Sequence, residues 1–341
     1  MKRAIQYSLF LLLVAFFAVL CLEGLLRLVG IYNTYFEKNY NAYQSYYAKD
    51  SISGQIITRL PNSKIAIEQT EFTYFRNTNK LGLSEDREID TSKTLGIVLG
   101  DSFTEGIGAP ADSTWARLLE KQTDADCPIQ TYNAGVAGSD VFFMRKLYEQ
   151  KLEKLNPDLL FLCLNYSDIS EYIYRGGAER FRDDGNTYYP SGPDWEVYYK
   201  HSHVVRFFVH FILNYDFTLR KKDKLKERLP EILSEIANQI IWLQNNTKNL
   251  VLIIHPYPYF KDKNVPFHED FPELKKLLPK NIKTIDLYPD FEKHFAKNNS
   301  KQYYWPKDGH FNSRGYLLMS RFIYEHLKGM EFCKELDKST N

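Results

Sequence analysis

The chain has 341 residues, enough for one large α/β domain with additions or for two small domains. Hydrophobic residues (44%) and charged residues (26%) stand in the proportion ordinary for a globular protein, which excludes a disordered or fibrous chain. The formal net charge of +1 gives no ground for a nucleic-acid partner.

The first predicted element is a membrane segment. Lys2 and Arg3 precede Ala4–Leu22, a run without charge. At ~1.5 Å per residue it makes a helix about 28 Å long, close to the hydrocarbon thickness of a bilayer. The leading positive charges favour a cytoplasmic N-terminus, with the rest of the chain outside. The rival reading is a cleaved signal peptide. No small-x-small site follows the run, and Leu20 before Cys21 argues against a lipoprotein cysteine. A retained, single-pass anchor is therefore expected.

Residues 31–93 lack clean periodicity. Short apolar alternations in Gln55–Thr58 and Lys64–Ile67 predict one or two short strands in an irregular lead-in. From Thr94 onward, apolar runs alternate with amphipathic segments, the pattern of βαβ units and a parallel sheet. The expected strands are Leu95–Leu99, Ile129–Tyr132, Leu159–Leu164, Leu250–Ile254 and Lys283–Leu287. The expected helices are Thr114–Lys121, Ser139–Leu155, Leu229–Asn245, Phe271–Leu278 and Ser313–Leu327. In the second, Val141, Met144, Tyr148, Leu152 and Leu155 recur at the spacing of one buried face. Residues 166–226 break the rhythm with glycines, prolines and aromatics, and are read as an insertion beside the active face. The basic stretch Arg220–Arg228 is interleaved with acids and reads as a solvated surface. The expected organisation is an anchor over 1–30, a lead-in over 31–93 and one domain over 94–335.

Four cysteines are present: Cys21, Cys127, Cys163 and Cys333. Cys163 lies in an apolar strand and is expected to be packing. Nothing in the spacing demands a bridge, and no CxxC pair suggests zinc. His201 and His203 have metal-like spacing on an expected strand but lack a visible third ligand. His255 follows the fourth strand as a structural histidine or pocket wall. No cofactor and no metal are expected.

The chemistry is carried by two distant segments. Thr94-Leu-Gly-Ile-Val-Leu-Gly-Asp-Ser-Phe-Thr-Glu-Gly106 reads as a buried strand ending in a turn that presents the Ser102 hydroxyl. A serine needs a base to take its proton. Asp308-Gly-His310-Phe-Asn312, just before the last amphipathic helix, supplies an imidazole and a carboxylate to orient it.

With these two segments the chain resembles the SGNH hydrolases, also called the GDSL family of esterases and lipases, over roughly residues 94–330. The resemblance implies a three-layer α/β/α sandwich with a five-stranded parallel sheet of flavodoxin-like type, preceded here by one transmembrane helix. Gly100–Gly106 is similar to the family's nucleophile block, with Ser102 as nucleophile and its own N–H facing the oxyanion. Tyr132-Asn-Ala-Gly-Val-Ala-Gly138-Ser-Asp140 is similar to the glycine block. Counted from Asn133, Gly138 fits the donor position better than Gly135, and Ser139 or Asp140 would cap the next helix. The family's third block places an asparagine, followed directly by aspartate, at the end of the third strand. Here the strand ends Asn165-Tyr-Ser167-Asp168, so Asn165 and Ser167 compete for one oxyanion role, with Asn165 preferred. Trp305–Gly315 resembles the acid–base block, with Asp308 and His310 completing the triad and Asn312 capping the final helix. Its Asp-x-His spacing resembles membrane-linked members associated with exported polysaccharides. The resemblance implies acyl-ester hydrolysis through an acyl-serine intermediate, on an acylated small molecule or an O-acylated glycan. Transfer of the acyl group to a sugar hydroxyl and a non-catalytic glycan-binding or assembly role are the rival readings.

Overall fold

The computed structural model describes residues 2–30, 47–49, 56–59, 61–90, 94–123, 128–165, 167–169, 198, 202–212, 219–257 and 270–330. By packing, the chain divides into two compact units, Met1–Ser45 with Ser191–Glu227, and Tyr46–Pro190 with Arg228–Asn341.

In the first unit, helix α1 (Lys2–Val29) exposes nearly every side chain from Arg3 to Val29. It is the one described helix long and apolar enough to cross a membrane. Near its end Glu23 pairs with Arg27 at 2.7 Å and accepts hydrogen bonds from Ser202 Oγ (2.8 Å), His203 N (3.0 Å) and Val204 N (2.9 Å). Those donors open a short helix, His203–Phe207. The strand expected around His203 is thus a helix, because Ser202 caps it by accepting from Val205 N. His203 lies beside Arg206, and no cluster of metal-ligating side chains exists among the described residues. His201, Cys127 and Cys333 lie outside them, so neither the histidine spacing nor a bridge is described.

The second unit is built on short hairpins and one parallel sheet. Strands β1 (Tyr47–Lys49) and β2 (Ile56–Arg59) pair antiparallel, as do β3 (Lys64–Glu68) and β4 (Thr73–Asn77). The sheet consists of β5 (Leu95–Leu99), β6 (Gln130–Asn133), β7 (Leu159–Leu164), β8 (Leu250–Ile254) and β9 (Lys283–Asp286). All its pairings are parallel, in the order β6-β5-β7-β8-β9. This is the flavodoxin-like order, whose switch point lies between β5 and β7 at their C-terminal ends.

Runs such as Leu-Gly-Ile-Val-Leu and Leu-Leu-Phe-Leu-Cys-Leu become central strands because both faces are buried. Ile97, Leu99, Leu160, Leu162, Leu252 and Ile254 face one layer, while Val98, Phe161, Cys163, Val251 and Ile253 face the other. Each such aliphatic burial stabilises the fold by about 1.5–3 kcal/mol. The first layer is made by Val141–Leu147, by Leu219–Asn245 from Arg228 onward, and by Asp270–Leu277. The second is made by Trp115–Thr123, Tyr288–Phe295 and Ser313–Gly329.

Three differences from the sequence reading have local causes. The helix expected over Ser139–Leu155 begins at Val141, since Asp140 accepts from Phe143 N, and it ends through a π-turn (Tyr148–Leu152) and a 3-10 turn (Glu153–Leu155). The helix expected from Leu229 starts at Leu219 and carries Pro230 inside it. Tyr288–Phe295 was not foreseen: it follows β9 almost without a loop, with Pro289 in its first turn.

Candidate active site

Ser102 begins a single helical turn (Ser102–Glu105) directly after β5 and Gly100-Asp101. Asp101 caps the turn, its Oδ1 accepting from Phe103 N at 2.9 Å. The hydroxyl therefore sits at the carboxyl edge of the sheet, beside the switch point, at the positive end of a helical turn. The last helix is likewise capped, as expected, by Asn312, which accepts from Arg314 N (3.0 Å) and Gly315 N (3.2 Å).

The loop before that cap carries the other two groups. His310 Nε2 lies 2.7 Å from Ser102 Oγ, and His310 Nδ1 lies 2.6 Å from Asp308 Oδ1. Asp308 Oδ1 also accepts from His310 N at 3.2 Å. His310 and Asp308 keep 22% and 18% of their side chains exposed, so the pair is sheltered yet reachable. Burial raises the Asp308 pKa, but the hydrogen bond and charge of His310 outweigh it and leave the carboxyl below its ordinary value. An ionised Asp308 accepting at Nδ1 leaves Nε2 free to accept the serine proton.

The glycine loop is fastened to the Ser102 turn. Asn133 Nδ2 donates to Thr104 O at 2.5 Å, Ser139 Oγ to Gly100 O at 3.0 Å, and Ala137 N to Glu105 Oε2 at 2.7 Å. The two candidate glycines separate by environment. A Cβ on Gly135 would stand 2.2 Å from Glu105 N, so Gly135 serves close packing. Gly138 is partly exposed, has φ +75°, and is the one on the open side of the loop.

At the end of β7, Asn165 is fully buried. Its Nδ2 donates to Asp101 Oδ2 at 2.9 Å, its Oδ1 accepts from Ser167 N at 2.8 Å, and its N donates to Asp168 Oδ2 at 2.7 Å. One amide N–H of Asn165 is thus spent on the residue that caps the Ser102 turn, while Ser167 is partly exposed. His255 is fully buried with its ring 5.0 Å from that of Phe103, and burial lowers its pKa. It packs against Phe103 of the Ser102 turn. Cys163 is equally buried, its thiol pKa pushed up by desolvation, and it is a free thiol packed in the core.

Sequence reasoning missed the contribution of the lead-in. Arg76, on β4, is buried and donates to Gly106 O (2.8 Å), Ala109 O (2.9 Å) and Glu105 O. Its guanidinium lies 3.7 Å from the equally buried Glu105 carboxylate. Arg87 and Arg117 pair with Glu120 and Glu85, fixing residues 85–87 against the main domain. The available signal was the charge of Arg76 amid aromatic neighbours, which no periodicity rule reads as inward-facing.

Residues 98–318 match the model of the GDSL-like lipase/acylhydrolase family. No curated protein sequence matches the chain. Among solved structures, an α/β hydrolase from the metagenome of Lake Arreo, Spain, is 12% identical, covering 68% of this chain and 94% of its own, with a TM-score of 0.44. A catalytic mutant of the acetylxylan esterase Axe2 from Geobacillus stearothermophilus is 12% identical, covering 69% and 94%, with a TM-score of 0.44. A lipolytic protein of the G-D-S-L family from Veillonella parvula is 19% identical, covering 68% and 96%, with a TM-score of 0.39.

Proposed function

The chain belongs to the GDSL-like lipase/acylhydrolase family and is a serine ester hydrolase; from that premise we propose that Ser102, His310 and Asp308 carry the reaction. The observation that supports this most is the unbroken relay of 2.7 Å and 2.6 Å from Ser102 Oγ through His310 to Asp308. In the proposed cycle His310 Nε2 takes the Ser102 proton as Oγ attacks the acyl carbonyl. The tetrahedral oxyanion is met by the N–H groups of Ser102 and Gly138. His310 then returns the proton to the leaving alcohol, leaving the acyl group on Ser102. A water, deprotonated by the same imidazole, releases the acid and restores the serine.

Asn165 is the preferred third donor, through the amide N–H that Asp101 does not take, and Ser167 the alternative. Asn165→Ala is expected to lower the acylation rate more than Ser167→Ala does. It should also cost roughly 1–3 kcal/mol of stability, because Asp101 Oδ2 loses a buried partner. Pre-steady-state acylation rates and thermal unfolding of both variants check this. A larger loss in Ser167→Ala would move the role to Ser167.

The apolar α1 behind Lys2 and Arg3 supports a retained anchor with the enzyme on the outer side of the membrane. The Asp308-Gly-His310 spacing and that location together support an O-acylated surface glycan as substrate. A reporter fused after Asn341 is expected to be active only outside the cytoplasm, and the purified protein to keep residues 1–22. Cytoplasmic activity would reverse the orientation. The activity itself is tested by turnover of a small aryl acetate by the full chain in detergent. Short acyl esters left untouched by the folded protein would contradict the proposal.

A further inference from the structure

We propose that the β3–β4 hairpin is a clamp that holds the nucleophile turn and the acid–base loop in register, with Glu71 and Arg76 as positioning residues; this rests on the triad proposed above. The two halves of that triad are far apart in sequence, and proton transfer needs Ser102 Oγ and His310 Nε2 held at hydrogen-bond distance. One short strand and its turn touch both.

On the nucleophile side, the single turn Ser102–Glu105 is too short to bond its own last carbonyl, Glu105 O. Arg76 takes that carbonyl together with Gly106 O and Ala109 O of the loop that follows, bonding all three from a fully buried guanidinium. Tyr74 Oη accepts from Gly108 N at 3.1 Å on the same side. Glu105, paired with Arg76, extends the hold to the glycine loop through Ala137 N.

On the acid–base side, the hairpin turn presents Glu71. Its Oε2 accepts from both Lys307 N and Asp308 N at 2.8 Å, fixing the backbone that carries the carboxylate partner of His310. Phe72 packs on Trp305, ring centroids 5.3 Å apart, and Trp305 Nε1 donates to Gly108 O at 2.8 Å, joining the two loops directly. Phe72, Tyr74 and Arg76 alternate on the face turned toward these loops, while Thr73, Phe75 and Asn77 are exposed. The strand's inward face is thus spent on the two catalytic loops.

Glu71 is partly exposed at a turn, so its replacement should leave the fold standing. The test is the rate at which a fluorophosphonate modifies Ser102 in the full chain, measured beside kcat, KM and thermal unfolding. In Glu71→Ala the Asp308 loop loses its acceptor, and labelling and kcat should each fall about 10–100-fold with KM little changed. Glu71→Gln, whose amide oxygen can still accept from both N–H groups, should restore most of both rates. Tyr74→Phe, which keeps the ring and loses the acceptor of Gly108 N–H, should slow labelling several-fold and carries the test if Glu71→Ala does not fold. Labelling of Glu71→Ala or Tyr74→Phe at the wild-type rate would overturn the clamp while leaving the triad intact. Equal loss in Glu71→Ala and Glu71→Gln would assign the effect to charge and overturn it as well. A folded wild-type chain that resists labelling would remove the triad proposal and the clamp with it.

Discussion

Ser102→Ala is expected to reduce turnover of a small acyl ester by about a thousandfold or more while leaving the fold in place. The Oγ is the only atom removed, and in this structure it stands 2.7 Å from His310 Nε2 at the mouth of the sheet's switch point. Without it no acyl group can be held covalently, and the loss corresponds to about 4 kcal/mol of transition-state stabilisation. The helical turn that Ser102 begins is capped by Asp101, not by Ser102, so the substitution leaves its anchoring intact. Unfolding free energy should move by no more than about 0.5 kcal/mol. Steady-state rates beside thermal unfolding check both halves. Unchanged turnover in the folded variant would exclude Ser102.

Asp308→Asn is the second large effect, expected to lower kcat by about 10³–10⁴-fold at neutral pH. In the proposed cycle the carboxylate both fixes which imidazole nitrogen carries the proton and stabilises the imidazolium formed as Ser102 is deprotonated. The pH dependence gives the sign. Burial alone would raise the Asp308 pKa, but His310 holds it below the ordinary carboxylate value. Any stability this pairing contributes is present above the ordinary carboxylate pKa and is lost as pH falls through the lowered value. In the activity profile Asp308 therefore stays ionised through the range in which a carboxyl of ordinary pKa would begin to take up its proton. The acid limb of kcat/KM should follow one proton, with a slope of one, down through the range in which activity disappears. A slope of two in that range would show that Asp308 takes up a proton there as well. A fall of less than about tenfold in Asp308→Asn would mean that His310 needs no carboxylate.

Much of this architecture is legible in the sequence because strands buried on both faces announce themselves as unbroken apolar runs. Leu95–Leu99, Leu159–Leu164 and Leu250–Ile254 were placed to the residue. The edge strands shifted by a residue at one end or both, as expected where fewer neighbours enforce the limits. Ser102, Asp308 and His310 could be singled out because each sits where a strand or turn meets a helix, and helix signals mark such places. What stayed hidden lies where side-chain chemistry runs against pattern. In β4 the aromatic Phe75 faces out, with Lys64 Nζ 4.5 Å from its ring, and the charged Arg76 faces in. A binary reading of that strand inverts it. Arg76 tolerates burial because three carbonyls and Glu105 receive it, and those partners lie about thirty residues away, beyond any local window. Asn165 shows the same limit on a smaller scale. Its position at the strand end was readable, but its bond to Asp101 came only with the packing of β7 beside β5.

The most direct measurement is acid-quench trapping of the intermediate. The full chain in detergent is mixed with a short acyl ester, stopped within milliseconds, digested and weighed by mass spectrometry. The acyl group is expected on the peptide containing Ser102 in the native chain, and on no peptide in His310→Ala at the same time. Rapid product release with Ser102 unmodified at every quench time, or acylation of another residue, would contradict the account.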